Sequence, residues 1–257
     1  MQAERRPSGD TRSRVTQRYA LITPDTHVPS PLVGWRSASA VVHITPAMGA
    51  GFQQYTATLE PGGAGGPPAP GIERFLYVLS GGVTLTGTET RALTPGDYAY
   101  VPPDSAAGLE SAPGATVEVF EKRYVPAIAG FPKATAGASA DAPGEAFQGD
   151  PALQLQTLLP VDPGFDMAVN VFTYEPGGRL PQVEVHVMEH GLLMLEGEGV
   201  YRLGDDWFPV QAGDVIWMAA YCPQWFVAMG NTPAKYLYYK DVHRDALAAT
   251  PIRAAEG

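Results

Sequence analysis

Thr94-Pro95-Gly96-Asp97-Tyr98-Ala99-Tyr100-Val101 is answered 117 residues later by Gln211-Ala212-Gly213-Asp214-Val215-Ile216-Trp217-Met218. Each half begins with a turn signal at Gly-Asp and runs into four apolar residues, which reads as a tight turn feeding a buried strand. Working outward, Leu59-Glu60-Pro61-Gly62-Gly63 matches Tyr174-Glu175-Pro176-Gly177-Gly178 at an offset of 115. Glu73-Arg74-Phe75-Leu76-Tyr77-Val78-Leu79-Ser80-Gly81 matches Glu189-His190-Gly191-Leu192-Leu193-Met194-Leu195-Glu196-Gly197 at 116. Both copies close on an aromatic strand before lysine, Val119-Phe120-Glu121-Lys122 and Tyr238-Tyr239-Lys240. Three collinear matches with a nearly constant offset identify a tandem duplication.

Within each copy, apolar runs of three to five alternate with Gly or Pro, as in Phe75–Leu79, Gly81-Gly82, Val83–Leu85 and Pro95-Gly96. Such runs read as short buried strands of a sandwich or closed barrel. Gly 29 and Pro 25 make up about a fifth of the 257 residues, above the usual share of roughly 12%, and no long helical period is present. The expected fold class is therefore all-β, with two units. The spacing puts an N-terminal arm at 1–34, a first barrel at 35–125, a linker at 126–159, a second barrel at 160–248 and a tail at 249–257. The small, polar run Ala134–Gly144 reads as a surface linker.

A net charge of −10 gives no global electrostatic reason to bind nucleic acid. Arg5, Arg6, Arg12, Arg14 and Arg18 make the arm locally basic. No apolar core follows these charges, so a secretory signal is not expected, and no window is apolar enough for a membrane span. The single cysteine, Cys222, has no partner for an internal disulfide. These features lead to the expectation of a soluble, cytoplasmic protein with a flexible arm.

Of five histidines, His27, His43 and His243 have no titratable partner at a ligand spacing and read as structural or surface residues. His186 and His190 differ. In Gln182-Val183-Glu184-Val185-His186-Val187-Met188-Glu189-His190, strand parity puts Glu184, His186 and His190 on one face and turns Glu189 outwards. If that face is the barrel interior, the three groups need a shared cation or a hydrogen-bond network to offset their burial. A solvated edge strand with no ligand is the alternative.

The spacing Gly178-x5-Glu184-x-His186-x3-His190-x6-Gly197 resembles the first cupin motif, with carboxylate and histidine exchanged at its ends. Gly213-Asp214 followed by Pro223-Gln224 resembles the second, with Gln224 where that motif places histidine. The resemblance implies two tandem cupin (double-stranded β-helix, or jelly-roll) barrels, and a metal set of Glu184, His186, His190 and Gln224. Counting back from Gly81, Arg74, Pro70 and Pro68 stand where the second copy has His190, His186 and Glu184, and Ala107 stands for Gln224. The first barrel is thus expected to be metal-free and to serve in packing.

The unusual Glu/His/His/Gln set resembles that of the (S)-ureidoglycine aminohydrolases, two-cupin manganese enzymes of purine (allantoin) catabolism. The likeness also covers Ala20–Asp25, Gly71–Tyr77, Arg123–Pro126, Gly164–Met167, Gly199–Trp207 and Tyr236–Val242. It implies one Mn²⁺ per chain, although two imidazoles with two oxygens also suit Zn²⁺, Fe²⁺ or Co²⁺. It implies that Glu184 binds metal and shuttles a proton, that Lys240 meets the substrate carboxylate, and that Tyr201 and Tyr236 line the pocket. The alternative for Lys240 is a cation capping the last strand, and for the two tyrosines a place among core aromatics. Cys222, with no nearby histidine in sequence, reads as structural. A metal-dependent cupin oxygenase or isomerase, or a non-catalytic ligand-binding bicupin, are the competing readings. A homo-oligomer is expected, with the arm as a plausible clasp.

Overall fold

The structure, a computed structural model, describes residues 11–87, 90–126 and 131–247; Arg5, Arg6 and the tail 249–257 lie outside the described residues. The first half contains β1 (Arg14–Val15), β2 (Tyr19–Ile22), β3 (Ser30–Pro31), β4 (Trp35–Ile44), β5 (Gln53–Gly65) and β6 (Ile72–Gly81). It continues with β7 (Val83–Leu85), β8 (Arg91–Leu93), β9 (Asp97–Val101), β10 (Leu109–Ser111) and β11 (Ala115–Arg123). The second half contains β12 (Thr135–Ala138), β13 (Gly144–Phe147), β14 (Asp150–Thr157), β15 (Met167–Tyr174) and β16 (His190–Glu196). It closes with β17 (Glu198–Leu203), β18 (Asp206–Gln211), β19 (Val215–Met218), β20 (Gln224–Met229) and β21 (Ala234–Asp241). Helix is confined to three short 3₁₀ turns among the described residues, and none of the helices is long and apolar enough to cross a membrane. The all-β expectation holds.

The duplication is visible in the backbone. Antiparallel ladders join β9, β6, β11 and β5 in the first unit and β19, β16, β21 and β15 in the second. Gly96 and Gly213, at the turn quoted above, take φ of +90° and +91°, a conformation that Gly adopts without a Cβ penalty. The three-stranded sheet β18-β17-β20 closes the second barrel opposite its main sheet.

Pairing runs past the boundaries drawn from the motifs. β2, from the arm, pairs with β19 of the second unit, with Ile22 opposite Val215 and Tyr19 opposite Met218. β12, from the linker, pairs with β9 of the first unit, with Gly137 opposite Tyr98. Tyr98 and Val215 are equivalent positions of the repeat, so β2 and β12 are equivalent too. A 3₁₀ turn follows each, at Pro24–Thr26 and Ser139–Asp141. The segment preceding each unit therefore covers the edge of the other. An uncovered edge leaves a row of unpaired N–H and C=O groups, and the exchange satisfies both.

The arm is held from its first described residues rather than left loose. Arg12 makes two hydrogen bonds to the buried Asp214 carboxylate, at 2.6 and 2.9 Å, and a third to the Pro209 carbonyl. Tyr19 donates to Asp206. β13 and β14, also within the expected linker, form a hairpin on β15.

Alternation along each strand sorts side chains into three cores. Tyr55, Leu59, Leu76, Val117 and Val119 fill the first barrel. Phe172, Leu192, Met194, Tyr201, Phe226 and Tyr236 fill the second. Phe52, Phe75, Phe120, Val169, Trp217 and Tyr239 pack in the seam between them. Complete burial of side chains of this size contributes about 1.5–3 kcal/mol each, so the seam binds the barrels as a core does.

The seam also holds charge. Lys122 donates to Asp166 at 2.9 Å and Tyr100 donates to Glu73 at 2.6 Å. Glu73 Oε1 and Asp166 Oδ1 are buried and find no donor. Burial, and then Asp166, push the Glu73 carboxyl up to about 9.

Candidate functional site

His190 opens β16 and lies on the ladder between Met218 of β19 and Lys240 of β21. The segment Gln182–Glu189 before it is not a strand. A single bridge pairs Glu184 with Gln224, through backbone bonds of 2.8 and 3.0 Å. The strand-parity argument therefore applies only at Glu184, and a bent loop carries the chain from there to His190. The three residues that parity grouped, Glu184, His186 and His190, nonetheless line one cavity of about 170 Å³ in the second barrel, together with Gln224, Tyr201, Tyr236 and Lys240, which the resemblance implied. Glu189 turns away from this cavity, as parity suggested. It meets the first barrel rather than solvent, accepting a hydrogen bond from Gly51 N–H at 2.8 Å.

Two imidazoles form the centre. His190 Nδ1 lies 3.3 Å from the Tyr239 carbonyl and His186 Nδ1 lies 3.2 Å from the Met188 carbonyl. A carbonyl only accepts, so both Nδ1 atoms carry the proton in the neutral rings. Burial holds the His190 imidazole down at about 3, with His186 and Lys240 adding to the effect, so this ring is neutral. When both rings are neutral, the two Nε2 atoms present lone pairs to each other across 3.2 Å. That contact is repulsive unless a cation or a proton lies between.

The chemistry of the donor set fits a divalent cation. Two nitrogens about 2.1 Å from one ion and at right angles stand about 3.0 Å apart. The Nε2 atoms are at 3.2 Å, and the Gln224 amide lies 3.0 Å from His186 Nε2. Rotating that amide by 180° exchanges its oxygen and nitrogen within the same shape. Its oxygen then faces the imidazoles, and its NH₂ faces the Tyr201 hydroxyl, 3.3 Å away on its other side. Carbonyl acceptors behind each ring are the usual support for imidazole ligands.

The Glu184 carboxylate is on the same wall but stands off. Among the described residues no three His, Cys, Asp or Glu side chains converge as a ready ligand group. Burial raises the Glu184 carboxyl, while His186 and Lys240 pull it back. Burial lowers the Lys240 ammonium, and Glu184 opposes this.

Tyr236 shares a 2.7 Å hydrogen bond with Tyr174 behind the wall. Cys222 is buried, its thiol pushed up by burial, and is not among the cavity residues. His43 bonds Thr56 at 2.8 Å and packs beside His27, with centroids 4.8 Å apart.

Several cavity residues escaped sequence reasoning. Tyr238 meets His190 edge-on at 5.7 Å, and its parity with Tyr236 and Lys240 on β21 was signal enough. Phe147 comes from β13, inside the presumed linker. Phe172, Leu180 and Met188 add apolar wall. In the first barrel the place of His190 is taken by Arg74, whose Nε donates to Glu121 at 2.6 Å and whose guanidinium lies over Trp35. A larger cavity of about 470 Å³ on that barrel is lined by Thr86, Arg91, Ser105 and Thr135 among others, with no His, Asp or Glu among the described residues.

Comparison with known proteins agrees with this architecture. The cupin domain family model matches residues 170–239, and the EutQ-like cupin domain model matches residues 48–124. The chain is 43% identical over 246 residues to the (S)-ureidoglycine aminohydrolase of Arabidopsis thaliana, covering 93% of this chain and 80% of that one. It is 36% identical over 233 residues to the (S)-ureidoglycine aminohydrolase of Escherichia coli (strain K12), covering 88% and 89%. The crystal structure of protein Ylba from E. coli superposes with a TM-score of 0.82 at 34% identity, covering 92% and 96%. With two cupin units built in tandem and relatives this similar along nearly the whole length, the chain belongs to the (S)-ureidoglycine aminohydrolase family, two-cupin hydrolases acting on a carbon–nitrogen bond.

Proposed function

We propose that this protein converts (S)-ureidoglycine and water to (S)-ureidoglycolate and ammonia, using one Mn²⁺ held by Glu184, His186, His190 and Gln224. The observation that carries the reading is the pair of buried imidazoles, each tied back through Nδ1, whose Nε2 atoms face each other at 3.2 Å in a cavity that also holds Glu184 and Lys240. Glu184 completes the set by turning its carboxylate toward the imidazoles. The cation supplies Lewis acidity and a fixed frame for substrate.

The remaining work belongs to side chains. At about 30 Å³ per water, the cavity holds about six waters, which suits a small substrate. Lys240 binds the substrate carboxylate by a charge-assisted hydrogen bond. Tyr201 and Tyr236 offer hydroxyls to the ureido group. As the carbon–nitrogen bond breaks and water adds, Glu184 moves a proton from water to the departing amine, a task suited to a carboxyl raised by burial. Phe172, Leu180 and Met188 supply apolar wall; with one face of the substrate against that wall, water attacks from the other and the product has one configuration.

The test generates ureidoglycine in situ from allantoate, adds the protein with Mn²⁺, and follows ureidoglycolate by chiral analysis. The expected result is the (S)-isomer alone, lost on chelation and in His186→Ala. Racemic product at the uncatalysed rate from metal-loaded protein overturns the proposal, and oxygen consumption would redirect it to an oxygenase.

A further inference from the structure

The first barrel lacks a ligand set, yet one short segment of it, Gly51 to Gln54, touches the surroundings of His190 from three directions. Gly51 N–H donates to Glu189 Oε1 at 2.8 Å, fixing the residue before His190. Phe52 and Gln54 press on the residue after it, so closely that a Cβ on Gly191 would stand 2.5 Å from each. The Phe52 ring lies 4.2 Å from that of Tyr239, and the Tyr239 carbonyl is the acceptor for His190 Nδ1. Glu189 is the centre of this clamp. Its second oxygen accepts from Trp217 Nε1 at 3.3 Å, and Trp217 is the ladder neighbour of Gly191.

We infer that Glu189 is a positioning residue which, with the Gly51–Gln54 segment of the first barrel, holds the His190 ring in its cation-binding orientation. This rests on the reading of the cavity as a divalent-cation site. A ring on a strand end has two soft torsions. Pinning the residues on both sides and the acceptor of Nδ1 removes most of that freedom before the cation arrives. A carboxylate suits the central place because it accepts from both barrels at once, while an amide accepts on only one side. The first barrel thus contributes to the site by aiming a ligand it does not itself carry.

The experiment measures Mn²⁺ affinity of the intact protein by the electron paramagnetic resonance of free aqueous Mn²⁺. Thermal unfolding of the metal-free forms runs alongside. Gly51 is exposed, so Gly51→Ala leaves the barrel folded while its Cβ, 2.5 Å from Glu189 Oε1, dislodges the carboxylate. Glu189→Ala and Gly51→Ala are each expected to bind Mn²⁺ about tenfold more weakly or worse, the usual effect of losing an outer support. Glu189→Gln should fall between, since its amide oxygen still accepts from Gly51 while its NH₂ opposes the Trp217 N–H. Lowered melting temperatures with unchanged Mn²⁺ affinity in all three overturn the inference and leave Glu189 a packing residue. Absence of Mn²⁺ binding in the unsubstituted protein overturns the metal reading and this inference with it, an outcome distinct from failure in the variants alone.

Discussion

On the same rung of the two barrels stand Arg74, between Val101 and Glu121, and His190, between Met218 and Lys240. The backbone is shared and the electrostatics are opposite in kind. In the first barrel a cation faces an anion, and the guanidinium is further satisfied by the Gly66 carbonyl and the Trp35 face. Its polar groups are paired internally. In the second barrel two imidazole Nε2 atoms face each other and a half-buried lysine has Glu184 as its countercharge. Its polar groups converge on one cavity. Duplication supplied the scaffold twice, and internal pairing closed one copy while leaving the other open.

Breaking the second barrel should produce the largest effect. His190→Ala removes one of two imidazoles and is expected to weaken Mn²⁺ binding at least about 1,000-fold, or about 4 kcal/mol, with (S)-ureidoglycolate formation falling to background. Metal content after dialysis and chiral product analysis check this. Breaking the Arg74–Glu121 pair of the first barrel, away from the Gly51–Gln54 segment, should cost stability alone. Arg74→Ala strands the Glu121 carboxylate and is expected to destabilise by about 3 kcal/mol, seen in urea unfolding, with Mn²⁺ affinity unchanged. A large loss of affinity there would erase the contrast.

Lys240→Met keeps the shape of the stem and removes the charge. Turnover efficiency should fall about 100-fold, or about 2.7 kcal/mol, with Mn²⁺ still bound, separating substrate binding from metal binding. The smallest effect concerns the seam. Because the Glu73 carboxyl is raised to about 9, the folded chain keeps a proton that the unfolded chain releases near 4.5. Stability from this group is full below that lower value and is lost as pH rises through 9, by about 2 kcal/mol between pH 7 and pH 9. Glu73→Gln should flatten that part of the pH profile in urea titrations.

What the sequence made legible was periodic and local. The Gly-Asp turns, the collinear apolar runs and the spacing of Glu184, His186 and His190 are each written in a few adjacent residues, and the barrels and the cavity follow from them. The exchanged strands were not legible. Tyr19–Ile22 and Thr135–Ala138 play one role with different residues at equivalent ladder positions, Ile22 against Gly137 and Leu21 against Ala136, because an edge is covered by backbone groups that every residue carries. β12 can use small residues since Gly137 lies on Tyr98, where a Cβ would come 2.8 Å from the hydroxyl. Phe147 was lost for the same reason, being read as linker. Glu189 was read correctly as pointing out of its barrel. That a second barrel waits there is a tertiary fact, invisible to strand parity.

The crossing of β2 onto β19 bears on how the chain is made. Ile22 meets Val215, so roughly 190 residues of synthesis separate a strand from its partner. At about 5–20 residues per second, the first strands wait about 10–40 s at the ribosome, while β12 finds β9 after only some 40 residues. The first barrel can close its edge during translation, whereas the second barrel must reach back to a strand made far earlier. Arg12 and Arg14, which later bind Asp214 and Asp206, and the hydroxyls of Ser13 and Thr23, which bond each other, keep that waiting segment in water until the last turn of the fold takes it up.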